Sequence, residues 1–313
     1  MSLLNGASLA GVPTPPQQVQ FTQTVPRHLV HRAALSEVFV TDLRVVGDNE
    51  FLVGAQWPRR HSFLGPRTRT SHDPMLFVEC CRQAGLLVSH CVLDVPLNFH
   101  IMSHSKTFAV KAEGFRTTDR PVDVVLHVSH RDVRRRGKSL TATMDFDCYR
   151  DGLHIASSSE RWSSVSSATY RRLRGDHFAA TPFQAEKLPT VDPALVGRER
   201  PEDVLLAETP LRNVWALQFD PDHPVLFDHP VDHVPGMVML EGVRQAALVM
   251  VGDPRALPVR SEFDFASYVE FDEPCLIIAD EDPPAREGTR VVSVTLQQDG
   301  STVATGMMEM LLP

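Results

Sequence analysis

Glu79, Arg82 and Gln83 are spaced i, i+3, i+4 within an apolar run, and Glu241, Arg244 and Gln245 repeat that spacing in a second run. On a helix, residues so spaced share a face. Burying an ionised carboxylate is costly unless a partner offsets it. One reading is structural: a Glu–Arg pair that fixes a helix or an interface. The other is functional: a carboxylate in a dry cleft as general acid or base, an arginine on an anion, a glutamine orienting a carbonyl. His61, His72, His223, His229 and His233 form a second set, upstream of these runs. A loop entering a helix aims its groups at free amides that favour an anion or oxyanion. For each histidine taken alone, a structural or solvated role is the commoner one. Arg134, Arg135, Arg136, Gly137 and Lys138 form a third set, expected as a solvated hairpin tip, or else a contact for phosphate or an acidic carrier protein. The run from Tyr170 to Gly175 is expected at a surface or interdomain contact.

Other chemistries lack their residues. There is no Gly-x-Ser-x-Gly elbow, no phosphate-binding glycine loop and no dinucleotide fingerprint. Five cysteines without regular spacing argue against a disulfide framework or zinc site and read as buried hydrophobes in a reducing compartment. Cys80, inside a helix among apolar neighbours, would be a poor thiolate. No metal ligand set and no cofactor are expected. A net charge of −8 gives no global reason to coat nucleic acid or an anionic membrane. Neither a signal peptide nor a membrane span is read from the sequence, so a cytoplasmic location is expected.

The elements that position these groups come in two sets. Proline opens each apolar run, at Pro74 and at Pro235 followed by Gly236, and both runs are apolar nearly all round, which predicts buried helices. His61 and Leu64 recur as His223 and Leu226, and Asp151-Gly152 with Ala156 recurs as Asp299-Gly300 with Ala304. The shared order predicts a duplication. Strand patterns follow each helix, at 122–128, 140–149, 290–297 and 302–312, with the Asp-Gly pairs as hairpin turns. The expected fold class is α+β, a tandem (double) hotdog in which each half wraps one long buried helix in a curved antiparallel sheet. The expected organisation is a flexible arm at 1–26, a first domain at 27–174, a proline-bearing linker at 175–203 and a second domain at 204–313.

The segment from His31 through His61, His72, Asp73, Pro74, Glu79, Arg82 and Gln83 resembles the first repeat of the A-factor biosynthesis (AfsA) hotdog family. Asp232, His233, Val234, Pro235, Gly236 and Met237, then Glu241, Arg244 and Gln245, resemble the second. The resemblance implies an acyltransferase that joins a 3-oxoacyl group from acyl carrier protein to dihydroxyacetone phosphate, in the synthesis of γ-butyrolactone, butenolide or furan signals. It implies no nucleic acid and no membrane partner, and a homodimer is compatible with it. Related dehydratases carry an acidic residue after a Pro-Gly turn, matched here by Pro235, Gly236 and Glu241. Their upstream histidine spacing is not matched, and Pro74-Met75 stands where the first half would need Pro-Gly. The expected catalytic residues are Glu241, Glu79, His233 and His72. Arg244, Gln245, Arg82, Gln83, Gly236, His223 and His61 are expected to bind substrate. The second helix is favoured as the working one, because Pro235-Gly236 lets the backbone approach a ligand. A dehydratase or thioesterase acting on acyl thioesters, or a non-catalytic binder of acyl chains or a lactone, are the alternatives.

Overall fold

The computed structural model describes residues 19–65, 70–181 and 188–313. Most of the expected arm, residues 1–18, and part of the expected linker, residues 182–187, lie outside them. The first half contains β1 (Val40–Gly47), β2 (Glu50–Trp57), α1 (Pro74–Cys91), β3 (His100–Val110), β4 (Val122–Arg136), β5 (Ser139–Arg150) and β6 (Leu153–Val165). A short helix, α2 (Ser167–Arg174), follows. The second half contains β7 (Leu206–Glu208), β8 (Val214–Leu217), α3 (Gly236–Val251), β9 (Leu257–Phe265), β10 (Cys275–Asp282), β11 (Thr289–Gln298) and β12 (Ser301–Leu311).

All twelve strands form one antiparallel sheet, in the order β1-β2-β4-β5-β6-β3-β9-β12-β11-β10-β8-β7. That order is the same sequence of elements read outward from both sides of the β3–β9 seam. The duplication is therefore structural, and the fold is a double hotdog with α1 and α3 as its two buried helices. The seam pairs Lys106 with Phe263 and Phe108 with Ser261. Register carries the repeat to single residues. Phe108 sits opposite Ser158 on β6, and its counterpart Phe263 sits opposite Gly306 on β12. Asp151 and Gly152, like Asp299 and Gly300, have positive φ and make the two-residue turns joining β5 to β6 and β11 to β12.

The helices differ at their starts. Asp73 caps α1, its carboxylate accepting from the Met75 amide at 2.9 Å, with Pro74 in the first turn. Pro235 stands at the same place before α3 and offers no side-chain cap. Around the helices the core is continuous across both halves.

Residues 188–203 are more than a tether. Val191 and Val196 are buried, Thr190 bridges to Ala207, and Arg198 reaches α3. This stretch is the second-half counterpart of 22–37. The described end of the expected arm is also attached: Val19 is buried and the Val25 amide donates to the Val40 carbonyl. Four of the five cysteines are buried as expected, and Cys91, near the end of α1, is exposed. Burial pushes the Cys275 thiol up to about 12.

Candidate active site

The two acidic residues sit in matching cages. Glu79 accepts from Arg82 Nε at 2.9 Å, Arg82 Nη2 at 2.8 Å and Gln83 Nε2 at 2.7 Å, and pairs with Arg32 at 2.7 Å. Glu241 accepts from Arg244 Nε at 2.7 Å, Arg244 Nη2 at 2.5 Å, Gln245 Nε2 at 2.7 Å and Arg198 Nη2 at 2.6 Å. Each glutamine also bonds the strand-entry loop. Gln83 accepts from the Phe39 amide and donates to the Glu37 carbonyl, while Gln245 accepts from Leu205 and donates to Asp203. The outer arginines cross between halves, Arg32 to the Val225 carbonyl and Arg198 to the Phe63 carbonyl. His61 and His223 complete the scaffold. Each ring Nδ1 accepts from two backbone amides of its own turn, so Nε2 carries the proton toward Glu37 or Asp203. Gln83, Gln245, His61 and His223 are therefore engaged with the protein's own backbone and carboxylates.

One cavity of 460 Å³ lies between the halves. Met75, Glu79, Arg82 and Leu86 of α1 line one wall, one stripe of that helix, and the start of α3 at Gly236 and Met237 lines the facing wall. Glu241 touches the lining, but Arg244, Gln245, Gln83, His61, His72 and His223 do not. The twin location, where Glu241 and Arg244 face the start of α1, is filled. Arg244 and Asp73 are fully buried, with Arg244 Nη1 at 3.7 Å from Asp73 Oδ2, and His72 is buried beside Trp57. The Asp73 cap thus closes one of two related places, and the uncapped start of α3 leaves the other open.

His233 stands at that open start. Its Nδ1 donates to Asp232 Oδ1 at 2.8 Å, its Nε2 makes no hydrogen bond among the described residues, and the ring is 28% exposed. The Tyr170 hydroxyl donates to the same Asp232 oxygen at 2.6 Å, and His100 stacks flat on Tyr170 at 3.7 Å. Arg174 grips Glu270 at 2.5 and 2.6 Å and donates to the Asp232 carbonyl at 2.7 Å, which fixes the loop. The run from Tyr170 to Arg174 is thus a contact between halves.

Electrostatics separate the two cages. Burial works against ionisation of Glu79, yet Arg32 and Arg82 hold it well below the usual carboxylate range. Burial raises Glu241 above its ordinary value, with Arg198 opposing and Asp73 adding to the rise. Burial also opposes ionisation of Asp232, and the hydrogen bonds from His233 and Tyr170 overcome it. His31 is lowered to about 3 by burial and by His90, so it faces the cavity neutral. Among the described residues no group of three or more His, Cys, Asp or Glu side chains is arranged to hold a metal.

Arg32, Arg198, Tyr170 and the Asp232–His233 pairing carried weak sequence signals. Arg32 precedes Glu37 by the same interval as Arg198 precedes Asp203, a repeat visible in the sequence. Only the fold shows that those arginines close the cages.

The sequence profile of the A-factor biosynthesis hotdog domain matches residues 14–166 and 179–312. A 2-oxo-3-(phosphooxy)propyl 3-oxoalkanoate synthase of Streptomyces virginiae is 41% identical over 283 residues, covering 90% of this chain and 96% of the relative. A protein of the same name from Streptomyces griseus subsp. griseus is 34% identical over 296 residues, covering 93% of each chain. Among solved structures, an acyl-ACP thioesterase from Bacteroides thetaiotaomicron aligns with a TM-score of 0.50 at 12% identity, over 83% of this chain and 97% of that one. At that identity the likeness speaks for the fold alone.

Proposed function

The chain belongs to the A-factor biosynthesis hotdog family, and from that premise we propose that it is a 2-oxo-3-(phosphooxy)propyl 3-oxoalkanoate synthase, with 3-oxoacyl-acyl carrier protein as donor and dihydroxyacetone phosphate as acceptor. The observation that carries the site assignment is the placement of His233, held by Asp232, at the uncapped start of α3 on an otherwise largely apolar cavity.

The acyl chain lies in the cavity, against residues such as Leu86, Ile101 and Leu240. His233 Nε2 takes the proton from the acceptor hydroxyl as its oxygen attacks the thioester carbon. Asp232 keeps Nδ1 protonated and so leaves Nε2 as the base. The oxyanion forms against the amides of Gly236 and Met237, where the helix dipole and free N–H groups stabilise negative charge. The C–S bond then breaks, and His233 returns its proton to the departing thiolate. Arg82, partly exposed at the cavity and anchored by Glu79, receives the acceptor's phosphate with Arg32 behind it. Glu79 is thereby a positioning residue rather than the base, because its oxygens are already engaged by both guanidiniums. Glu241 plays the matching part in the closed twin.

Mass spectrometry of products from the purified protein tests this, with 3-oxoacyl thioesters given with and without dihydroxyacetone phosphate. A phosphorylated ester that requires the acceptor is expected. Free acid or enoyl thioester as the sole product would assign the site to hydrolysis or dehydration instead.

A further inference from the structure

Lys106 and Glu160 line the same cavity and take no part in the chemistry above. They face each other across β3 and β6, with Lys106 Nζ at 2.8 Å from Glu160 Oε2. Both are largely buried, 5% and 16% exposed by side chain. Burying such a pair rarely stabilises a fold over an apolar pair of similar volume, so its presence calls for a reason. The internal repeat supplies the comparison. Register places Ser261 and Met308 of β9 and β12 at the equivalent positions, where the second half holds its sheet together without an ion pair. The charged pair therefore has no counterpart at the matching positions of the second half.

Its position along the cavity is set by β3. His100, stacked on Tyr170, marks the His233 end. Lys106 lies six residues further, up to about 20 Å at roughly 3.3 Å per residue. Beyond it, Phe108 is buried and does not line the cavity. Along β3 the lining thus ends at the ion pair, six residues from the His233 end. We infer that Lys106 and Glu160 form the end wall of the acyl cavity and set the chain length accepted. This rests on the acyl-cavity reading above. A chain that stops short of the pair gains apolar contact with each methylene. One that reaches it must desolvate two charges without offering them a hydrogen bond.

The test uses the full chain. The double variant Lys106→Ser/Glu160→Met gives the first half the residues of the second. The double variant Lys106→Met/Glu160→Gln removes the charges while keeping side-chain length, should the first not fold. The swap Lys106→Glu/Glu160→Lys keeps the pair. Folding is checked by thermal melting. Binding of saturated fatty acids of graded length is measured by calorimetry, and turnover with 3-oxoacyl N-acetylcysteamine thioesters of graded length. The wild type is expected to show a sharp upper limit in length. The neutral variants should extend it, with about ten-fold or more gained per added methylene in relative kcat/KM or affinity. The swap should retain the wild-type limit. An unchanged limit in a folded neutral variant overturns the inference, as does an equal shift in the swap. A wild type with the length limit in binding but no phosphorylated ester among its products defeats the proposed function and leaves the end wall standing.

Discussion

His233 and Glu241 precede or follow the same turn of chain, yet the structure gives them opposite surroundings. His233 lines the cavity with one ring nitrogen committed to Asp232 and the other without a hydrogen bond among the described residues. Glu241 has its carboxylate taken by Arg198, Arg244 and Gln245 in full burial. The two should therefore fail differently. His233→Gln is expected to keep the melting temperature near wild type and to lower kcat by roughly 10²- to 10⁴-fold, the usual worth of a general base. Glu241→Gln leaves two buried guanidiniums undercompensated and is expected to cost about 3–5 kcal/mol of stability. The surviving folded fraction should retain most of its specific activity. Urea melts paired with activity per folded molecule separate the cases. A stable but inactive Glu241→Gln protein would return the base to the carboxylate.

At the level of the element, the contrast is between two helix starts. Asp73 satisfies the first amides of α1 and stands against Arg244, while Pro235 leaves the first amides of α3 without a side-chain acceptor. An uncapped start forgoes stability of about 0.5–2 kcal/mol, the range measured for removing a cap. Here the forgone contact is where an oxyanion would bind. Pro235→Asp should therefore stabilise α3 by up to about 1 kcal/mol and lower kcat, because a carboxylate would occupy the amides and repel the developing charge. Denaturant midpoints and steady-state kinetics on one preparation read both effects. Higher stability with undiminished kcat would remove these amides from the mechanism. Gly236 belongs to the same argument, since a Cβ there would come within 3.2 Å of the Phe265 ring.

For the whole molecule, buried titratable groups set the response to acid. Burial, with Arg150, lowers His72 to about 4, and burial with His90 lowers His31 to about 3. Each folded value lies below the unfolded value of about 6.5. The unfolded chain therefore binds more protons as the pH falls, and stability is lost from about pH 6.5 downward until the folded groups themselves protonate. Glu79 and Asp232, held below the carboxylate range, add loss of the same sign at lower pH. The melting temperature should fall steadily from pH 7 to pH 4. His72→Phe, which removes one titrating group from the core, should flatten that slope. An unchanged slope in the variant would mean that His72 does not take part.

The sequence by itself determined the double hotdog, because periodicity, turn chemistry and repetition are local properties and each was written twice. The buried helices and the hairpins at Asp151-Gly152 and Asp299-Gly300 followed from that, while the family came from the resemblance of the segments around Glu79 and Glu241 to its two repeats. It also singled out Glu79, Arg82, Glu241, Arg244, Gly236 and His233. It did not sort them, since a buried carboxylate has the same letter whether it meets two arginines or an open cavity. Only the tertiary structure brought Arg32 and Arg198 from distant loops onto the two glutamates, tying their carboxylates to the scaffold. Only the folded chain set Asp73 against Arg244 and Tyr170 against Asp232, so that one of two related places closed and the other stayed open. Those outcomes depend on contacts between segments far apart in the chain, and spacing along a sequence carries no measure of them.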